Sequence, residues 1–140
     1  MASNSEYRKI RVLVAKVDLE DDDIESKIVA RVLSNAGMEV IYTGLRQAPS
    51  LLVNTAIQED VDVIEISLLS SDQLHYFPET LKILKESGME DIALIGSGNL
   101  SAEDVAELKK IGVADLFPTG RSLKKMIESI QEIYNKKHAS

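Results

Sequence analysis

Residues 10–42 read IRVLVAKVDLEDDDIESKIVARVLSNAGMEVIY, and this segment carries a complete strand–helix–strand unit. The runs at residues 10–15 and 38–42 are short, apolar and rich in β-branched side chains, which favours strands. Between them, apolar residues recur at steps of three and four, as on one face of a helix: Ile24, Ile28, Val29, Val32, Leu33 and Ala36. Gly37 follows this stripe, at the position where a glycine commonly ends a helix. The segment therefore predicts two strands joined by a helix.

The same alternation continues through the rest of the chain. Residues 61–67, 92–95 and 114–117 are further strand candidates, and the first of them is interrupted by Asp62 and Glu65. Apolar stripes with a helical period mark the other helices: Leu52, Val53, Ala56 and Ile57; Leu74, Phe77, Leu81 and Leu84; Val105, Leu108 and Ile111; and Leu123, Met126, Ile127, Ile130 and Tyr134. This order predicts an α/β domain in which a five-stranded parallel sheet lies between helices.

Three local signals mark where these helices begin and end. Pro49 stands at the start of the second helix, where a proline is well tolerated. Gly88 follows the third stripe. Ser101, with Asp104 three residues later, predicts a capping box at the start of the fourth helix.

Composition limits the class of protein. The chain has 140 residues, of which 44% are hydrophobic and 28% charged, as is typical of one globular domain. We place this domain at residues 9–135, with a disordered arm at 1–8 and a short tail at 136–140. The net charge of −7 argues against nucleic acid and anionic membranes as partners. The absence of cysteine excludes disulfides, thiolate metal sites and cysteine nucleophiles.

The sequence carries neither a long apolar run nor an evident secretory signal. A run of about 18 apolar residues is needed to cross a membrane as a helix. The initial stretch MASNSEYRK lacks the apolar core of a signal peptide. We therefore expect a cytoplasmic protein.

An acidic loop follows the first strand and contains Asp18, Glu20, Asp21, Asp22 and Asp23. Asp21, Asp22 and Asp23 are candidate ligands for Mg²⁺ or another hard cation. Alternatively, these carboxylates stabilise the amino terminus of the next helix, where negative charge and aspartate caps are favoured. Asp22 with Glu25 three residues later fits this second interpretation.

Hydroxyl groups at the end of the third strand raise the question of nucleophilic catalysis. Ser67, Ser70 and Ser71 could bind a ligand or cap the next helix. A serine nucleophile needs a base within reach. Of the two histidines, His138 lies in the expected tail and His75 has no evident carboxylate partner. We therefore expect no catalysis by this chain alone. A phosphoacceptor receiver domain is also excluded, because the third strand ends in Ser-Leu-Leu and not in aspartate.

Taken together, several stretches resemble one known family. They are RVLVAK at residues 11–16, IYTGLRQ at 41–47, QEDVDV at 58–63 and SLL at 67–69. Over residues 9–132 the chain is similar to the cobalamin-binding domain of the methylmalonyl-CoA mutase type. The resemblance implies a flavodoxin-like three-layer sandwich with strand order 2-1-3-4-5. It also implies cobalamin, in the form of adenosylcobalamin, as the cofactor.

The same resemblance indicates which residues would hold the cofactor. Ser67 matches the serine of the family's S-x-L motif, which contacts the nucleotide tail of cobalamin. Ser97 and Gly98 stand where the family has a glycine pair. The full set of cofactor-binding candidates is Glu20, Asp22, Ser67, Leu69, Ser97, Gly98, Gly120 and Ser122.

The central motif of that family is changed in this chain. The family carries D-x-H-x-x-G after the first strand, and its histidine is the lower axial ligand of cobalt. Glu20, Asp22 and Glu25 stand at the three signature positions. The change removes the imidazole–cobalt bond and places a charged side chain where the nucleotide tail would pass. His75 lies in a different loop, so we do not assign the ligand role to it.

Three functions are compatible with these observations. The first is the cobalamin-binding small subunit of an adenosylcobalamin-dependent acyl-CoA mutase, with cofactor binding that is weak, independent of histidine or lost. Its partner would be a large subunit carrying the substrate-binding barrel, or a second copy of the chain. The second is a structural or regulatory mutase subunit that binds no cofactor. The third is a cation-binding protein that uses the acidic loop.

Overall fold

The computed structural model describes residues 8–16, 24–43, 47–68, 73–119 and 122–138. Strands β1 to β5 span Arg11–Lys16, Glu39–Tyr42, Val63–Leu68, Ala93–Gly98 and Asp115–Pro118. Helices α1 to α5 span Ile24–Asn35, Pro49–Gln58, Tyr76–Glu86, Ala102–Ile111 and Leu123–His138. Strands and helices alternate, as the periodic pattern predicts. No described helix combines the length and apolar character needed to span a membrane.

The strands form one parallel sheet in the order β2-β1-β3-β4-β5. This order confirms the flavodoxin-like arrangement. β3 lies in the centre, and all of its residues are buried. Consecutive side chains of a strand point to opposite faces of the sheet, so a central strand covered on both faces exposes neither set. Glu65, in the middle of β3, therefore lies inside the domain.

The two faces of the sheet carry separate apolar layers. One face packs against α2, α3 and α4, and its strand residues include Leu13, Ile64, Ile66, Leu94 and Leu116. The other face packs against α1 and α5, and its strand residues include Val12, Val14, Val63, Ile95 and Phe117. We call this second side the α1/α5 face.

Several element boundaries differ from those expected from the sequence. β4 continues to Gly98, beyond the expected end at residue 95, because Gly96 to Gly98 pair in register with the end of β3. Leu74, expected in the third helix, precedes α3. α5 runs to His138, so residues 136–138, expected in the tail, are helical. The capping box of α4 is present, with Ser101 and Asp104 bonded reciprocally at 3.0 Å.

Asp62 holds the first and last described segments at the amino-terminal edge of the sheet. Its carboxylate is 2% exposed and accepts hydrogen bonds from the Arg8 guanidinium at 2.8 Å and from the Arg11 backbone N–H at 2.9 Å. Lys137, in the last turn of α5, lies 3.9 Å from the same carboxylate. Arg8, expected in the disordered arm, is therefore bound to the domain.

Candidate functional site

The carboxyl ends of the strands meet at one edge of the sheet, where ligands of such folds bind. Of the cofactor-binding candidates, Ser67, Ser97, Gly98 and Ser122 lie within the described residues. Glu20, Asp22, Leu69 and Gly120 lie outside them, as do the cation candidates Asp21 and Asp23. Within the described residues, no group of three histidine, aspartate or glutamate side chains is placed to hold a metal ion.

Ser67 and Ser97 are brought together at this edge. They occupy paired positions in the neighbouring strands β3 and β4, and their Oγ atoms are 3.2 Å apart. Both residues are buried, with exposures of 3% and 2%. The two serines, which the resemblance selects from distant parts of the sequence, therefore form one hydroxyl pair.

A third polar side chain, Glu65, completes this group and was missed as a site residue. Its carboxylate is fully buried and accepts hydrogen bonds from both serines. The Oγ–Oε distance is 2.5 Å from Ser97 and 2.9 Å from Ser67. The signal was visible in the sequence as a charged residue at an interior position of a strand otherwise rich in apolar residues. Which groups it contacts follows only from the strand register.

The residues that pair in register with Glu65 on the two adjacent strands are apolar. Glu65 pairs in register with Val14 of β1 and Ile95 of β4, and both of these belong to the layer under α1 and α5. Ser97 pairs on its other side with Phe117 of β5. A buried carboxylate among apolar neighbours is stable only when hydrogen bonds replace its hydration. The serine hydroxyls supply such bonds, and the one from Ser97 is the shorter of the two.

The hydrogen-bonding capacity of the serine pair follows from a count of protons. A serine hydroxyl has one proton to donate, and both hydroxyls donate to the Glu65 carboxyl group. Both serine protons are directed at Glu65, so the pair presents lone pairs to anything else that approaches. We call Glu65, Ser67 and Ser97 the buried polar triad.

Gly98 is required at this edge by the packing of the backbone. It has φ +109°, and a Cβ atom placed on it would lie 2.0 Å from the carbonyl oxygen of Leu68. The same carbonyl accepts a hydrogen bond of 3.0 Å from the backbone N–H of Asn99. Gly98 also accepts one of 2.9 Å from the N–H of Thr119. The glycine therefore allows the ends of β3, β4 and β5 to meet closely.

Two other residues discussed from the sequence have local partners. The Ser122 hydroxyl accepts a hydrogen bond of 3.1 Å from the backbone N–H of Lys124, as expected of a residue that caps the start of α5. His75, for which no carboxylate partner was expected, has Nδ1 3.1 Å from Oε2 of Glu79. That expectation was wrong, because the two residues are one helical turn apart. Both side chains are 53% exposed, so this contact belongs to the surface of α3.

Two glutamine side chains at the same edge carry buried acceptors. Gln47 precedes α2 and Gln73 precedes α3, and their Oε1 atoms have no hydrogen-bond partner within the described part of the chain. Buried amide oxygens are normally bonded. These acceptors are suited to a ligand or a loop that donates hydrogen bonds at this edge. A separate groove of about 650 Å³ between α3 and α4 lies at the opposite edge, where β4 and β5 begin.

Residues 10–126 match the family model described as the B12 binding domain. The chain belongs to the B12-binding domain family. This confirms the resemblance inferred from the sequence, and cobalamin is the cofactor that defines the family. The matched range includes the buried polar triad and every cofactor-binding candidate.

Two curated relatives match this B12-binding chain over nearly their whole length. One is the 2-hydroxyisobutanoyl-CoA mutase small subunit of Aquincola tertiaricarbonis, 47% identical over 124 residues, covering 89% of this chain and 91% of the relative. The other is the pivalyl-CoA mutase small subunit of Xanthobacter autotrophicus, 36% identical over 132 residues, covering 94% of this chain and 88% of the relative. Both of these relatives are small subunits of acyl-CoA mutases.

Solved structures with the same fold come from more than one functional class. A cobalamin-binding protein from Desulfitobacterium hafniense superposes with a TM-score of 0.73 at 23% identity, covering 90% of this chain and 60% of that one. A response regulator receiver domain from Francisella superposes with a TM-score of 0.67 at 20% identity, covering 91% of this chain and 98% of that one. At these identities the likeness shows the fold alone.

The described residues fit a bound corrinoid only in part. Ligands of this fold usually bind at the carboxyl ends of the strands. The Oε1 atoms of Gln47 and Gln73 are buried hydrogen-bond acceptors at that edge. The nucleotide tail of cobalamin carries a phosphate, which is an anion that accepts hydrogen bonds. The serine pair does not match this group, because its protons are engaged by the Glu65 carboxylate.

Proposed function

We propose that this chain is the cobalamin-binding small subunit of an adenosylcobalamin-dependent acyl-CoA mutase. One observation carries the proposal. The chain matches two mutase small subunits along about nine tenths of its own length and of theirs. In such an enzyme adenosylcobalamin supplies the radical that drives a carbon-skeleton rearrangement, and the protein positions it.

The described residues that face the cofactor in this proposal lie at the carboxyl ends of the strands. They are Ser67, Ser97 and Gly98 at the ends of β3 and β4, and Ser122 before α5. The proposal also includes Glu20, Asp22, Leu69 and Gly120, which lie outside the described residues. Among the described members of this set, no histidine base is placed beside a nucleophile. The chain therefore acts through its cofactor and its partner and is not catalytic alone.

The proposal includes binding without an imidazole ligand to cobalt. Asp22 stands at the position of the family's histidine, with Glu20 and Glu25 at the two flanking signature positions. The dimethylbenzimidazole base then stays on cobalt, and affinity is lower because one metal–protein bond is missing. The partner is a large subunit that carries the acyl-CoA site, and the pair works in the cytoplasm.

An alternative function is a mutase subunit that binds no cofactor. The buried polar triad favours it, because Glu65 already satisfies the hydroxyls that would contact the cofactor's tail. Such a subunit would stabilise or regulate a large subunit, or pair with itself. Cofactor binding separates the two functions.

Titration of the purified chain with adenosylcobalamin and hydroxocobalamin tests the proposal. Calorimetry measures affinity, and the visible spectrum reports whether the base stays on cobalt. Micromolar binding with an unchanged base-on spectrum is expected. Binding with a base-off, histidine-ligated spectrum would overturn the alignment of the first loop. No binding at high micromolar concentration would favour the cofactor-free subunit, and co-purification with a mutase large subunit would then test its partner.

A matched pair of variants checks the role of position 22. Asp22→His restores an imidazole where the family has one, so it should shift bound hydroxocobalamin to the base-off spectrum and tighten binding. Asp21→His places the same group one residue away and serves as the control. Identical spectra for both variants and the unmodified chain would contradict the assignment of Asp22.

A further inference from the structure

Glu65 lies where it controls what the serine pair can bind. It is fully buried, and its two carboxylate oxygens are within 2.5 to 3.2 Å of the Ser67 and Ser97 hydroxyls. The neighbours in register with Glu65 on this face, Val14 and Ile95, are apolar and fully buried.

The carboxylate changes the character of the two hydroxyls. Without it, each serine would be free to donate its proton to an acceptor on a ligand. With it, both protons are directed inward and the outer surface of the pair accepts only.

We propose that Glu65 is a specificity-determining residue that closes the serine pair to the phosphate-bearing nucleotide tail of a corrinoid. The chain then binds corrinoids through the corrin ring, without distinguishing those that have a nucleotide tail from those that lack one. This inference rests on the proposed cofactor-binding function. It explains how a chain can keep both serines of the site and yet lose the contact that they would make.

The test compares hydroxocobalamin, which has the nucleotide tail, with cobinamide, which has the same corrin ring and no tail. The dissociation constant of each is measured by absorbance for the unmodified chain, Glu65→Ala and Glu65→Gln. Asp62→Asn is the matched control. It removes a buried carboxylate at the residue just before β3, at the end of the strand away from the serine pair. Circular dichroism and the melting temperature establish that each variant is folded.

For the unmodified chain we expect the two dissociation constants to agree within about threefold. Glu65→Ala should tighten hydroxocobalamin binding by about tenfold or more while leaving cobinamide binding within about threefold. Glu65→Gln keeps the size of the side chain and replaces one acceptor oxygen. It should therefore change the ratio of the hydroxocobalamin and cobinamide dissociation constants in the same direction, by a smaller factor. Asp62→Asn should leave the ratio unchanged.

Two results would overturn the inference. One is an unmodified chain that already prefers hydroxocobalamin over cobinamide by about tenfold. The other is a folded Glu65→Ala or Glu65→Gln variant in which the ratio of the two dissociation constants equals that of the unmodified chain. The same conclusion holds if neither the unmodified chain nor the Glu65 variants bind hydroxocobalamin or cobinamide. If the unmodified chain binds neither ligand and Glu65→Ala binds hydroxocobalamin, the proposed function fails for the natural chain and the role of Glu65 stands.

Discussion

Ser97 donates a hydrogen bond of 2.5 Å to the carboxylate of Glu65 across the boundary between β4 and β3. The residues are 32 positions apart in the chain, and both are buried. The bond links two strands in the centre of the sheet by their side chains in addition to their backbones. It also supplies part of the polar environment that a buried carboxylate requires.

Loss of this hydrogen bond should destabilise the domain measurably. We expect Ser97→Ala to lower the free energy of unfolding by about 2 kcal/mol, since hydrogen bonds to charged groups contribute roughly 1.5–3 kcal/mol. Ser67→Ala is the control and should cost less, because its contact with Glu65 is longer at 2.9 Å. Urea denaturation of both variants measures the difference. A larger cost for Ser67→Ala would contradict the assignment of the short bond to Ser97.

Asp62 is expected to matter more than either cation that faces it. Asp62→Ala removes the acceptor of the Arg11 backbone N–H as well as an ion pair, so we expect a loss of about 1–3 kcal/mol in the free energy of unfolding. Arg8→Ala removes only a pair whose cation is 32% exposed, and should cost less than about 1 kcal/mol. Equal effects, measured by chemical denaturation, would mean that the backbone contact contributes nothing.

Gly98 should tolerate no side chain. Gly98→Ala combines a left-handed φ of +109° with a Cβ position 2.0 Å from the Leu68 carbonyl oxygen. Gly88→Ala is the matched control, because Gly88 has φ +70° and no atom within 4 Å of the added Cβ. The control should lose about 1–2 kcal/mol from backbone strain alone. Gly98→Ala should lose more, and a melting temperature as high as that of the control would contradict the close approach of the strand ends.

The capping box of α4 offers a test of local stability away from the site. Ser101→Ala should lower the free energy of unfolding by about 1 kcal/mol, because the Asp104 backbone N–H loses its acceptor. Ser101→Gly should cost only a few tenths of a kcal/mol, since glycine is itself a good cap. Thermal denaturation distinguishes the two variants, and the reverse order would indicate that the serine hydroxyl is not the stabilising group.

Much of the fold follows from patterns that lie close together in the chain. The stripe from Ile24 to Ala36 predicts α1, Pro49 begins α2, and the spacing of Ser101 and Asp104 predicts a capping box that the structure confirms. These features depend on residues within a few turns of one another, so their periodicity is visible without tertiary contacts. The sequence did not predict that β4 continues to Gly98, because Gly96 and Gly98 carry no strand signal.

The candidate site was likewise predicted in part from the sequence and decided in part by the tertiary structure. The resemblance to the B12-binding family selected Ser67 and Ser97 from the sequence alone, and the family match confirms that resemblance. Only the tertiary structure placed their hydroxyls 3.2 Å apart and joined them to Glu65. Periodicity within one strand determines which face a side chain occupies. Which side chains meet across strands depends on the register of the sheet, and that register is decided by the packing of the whole domain.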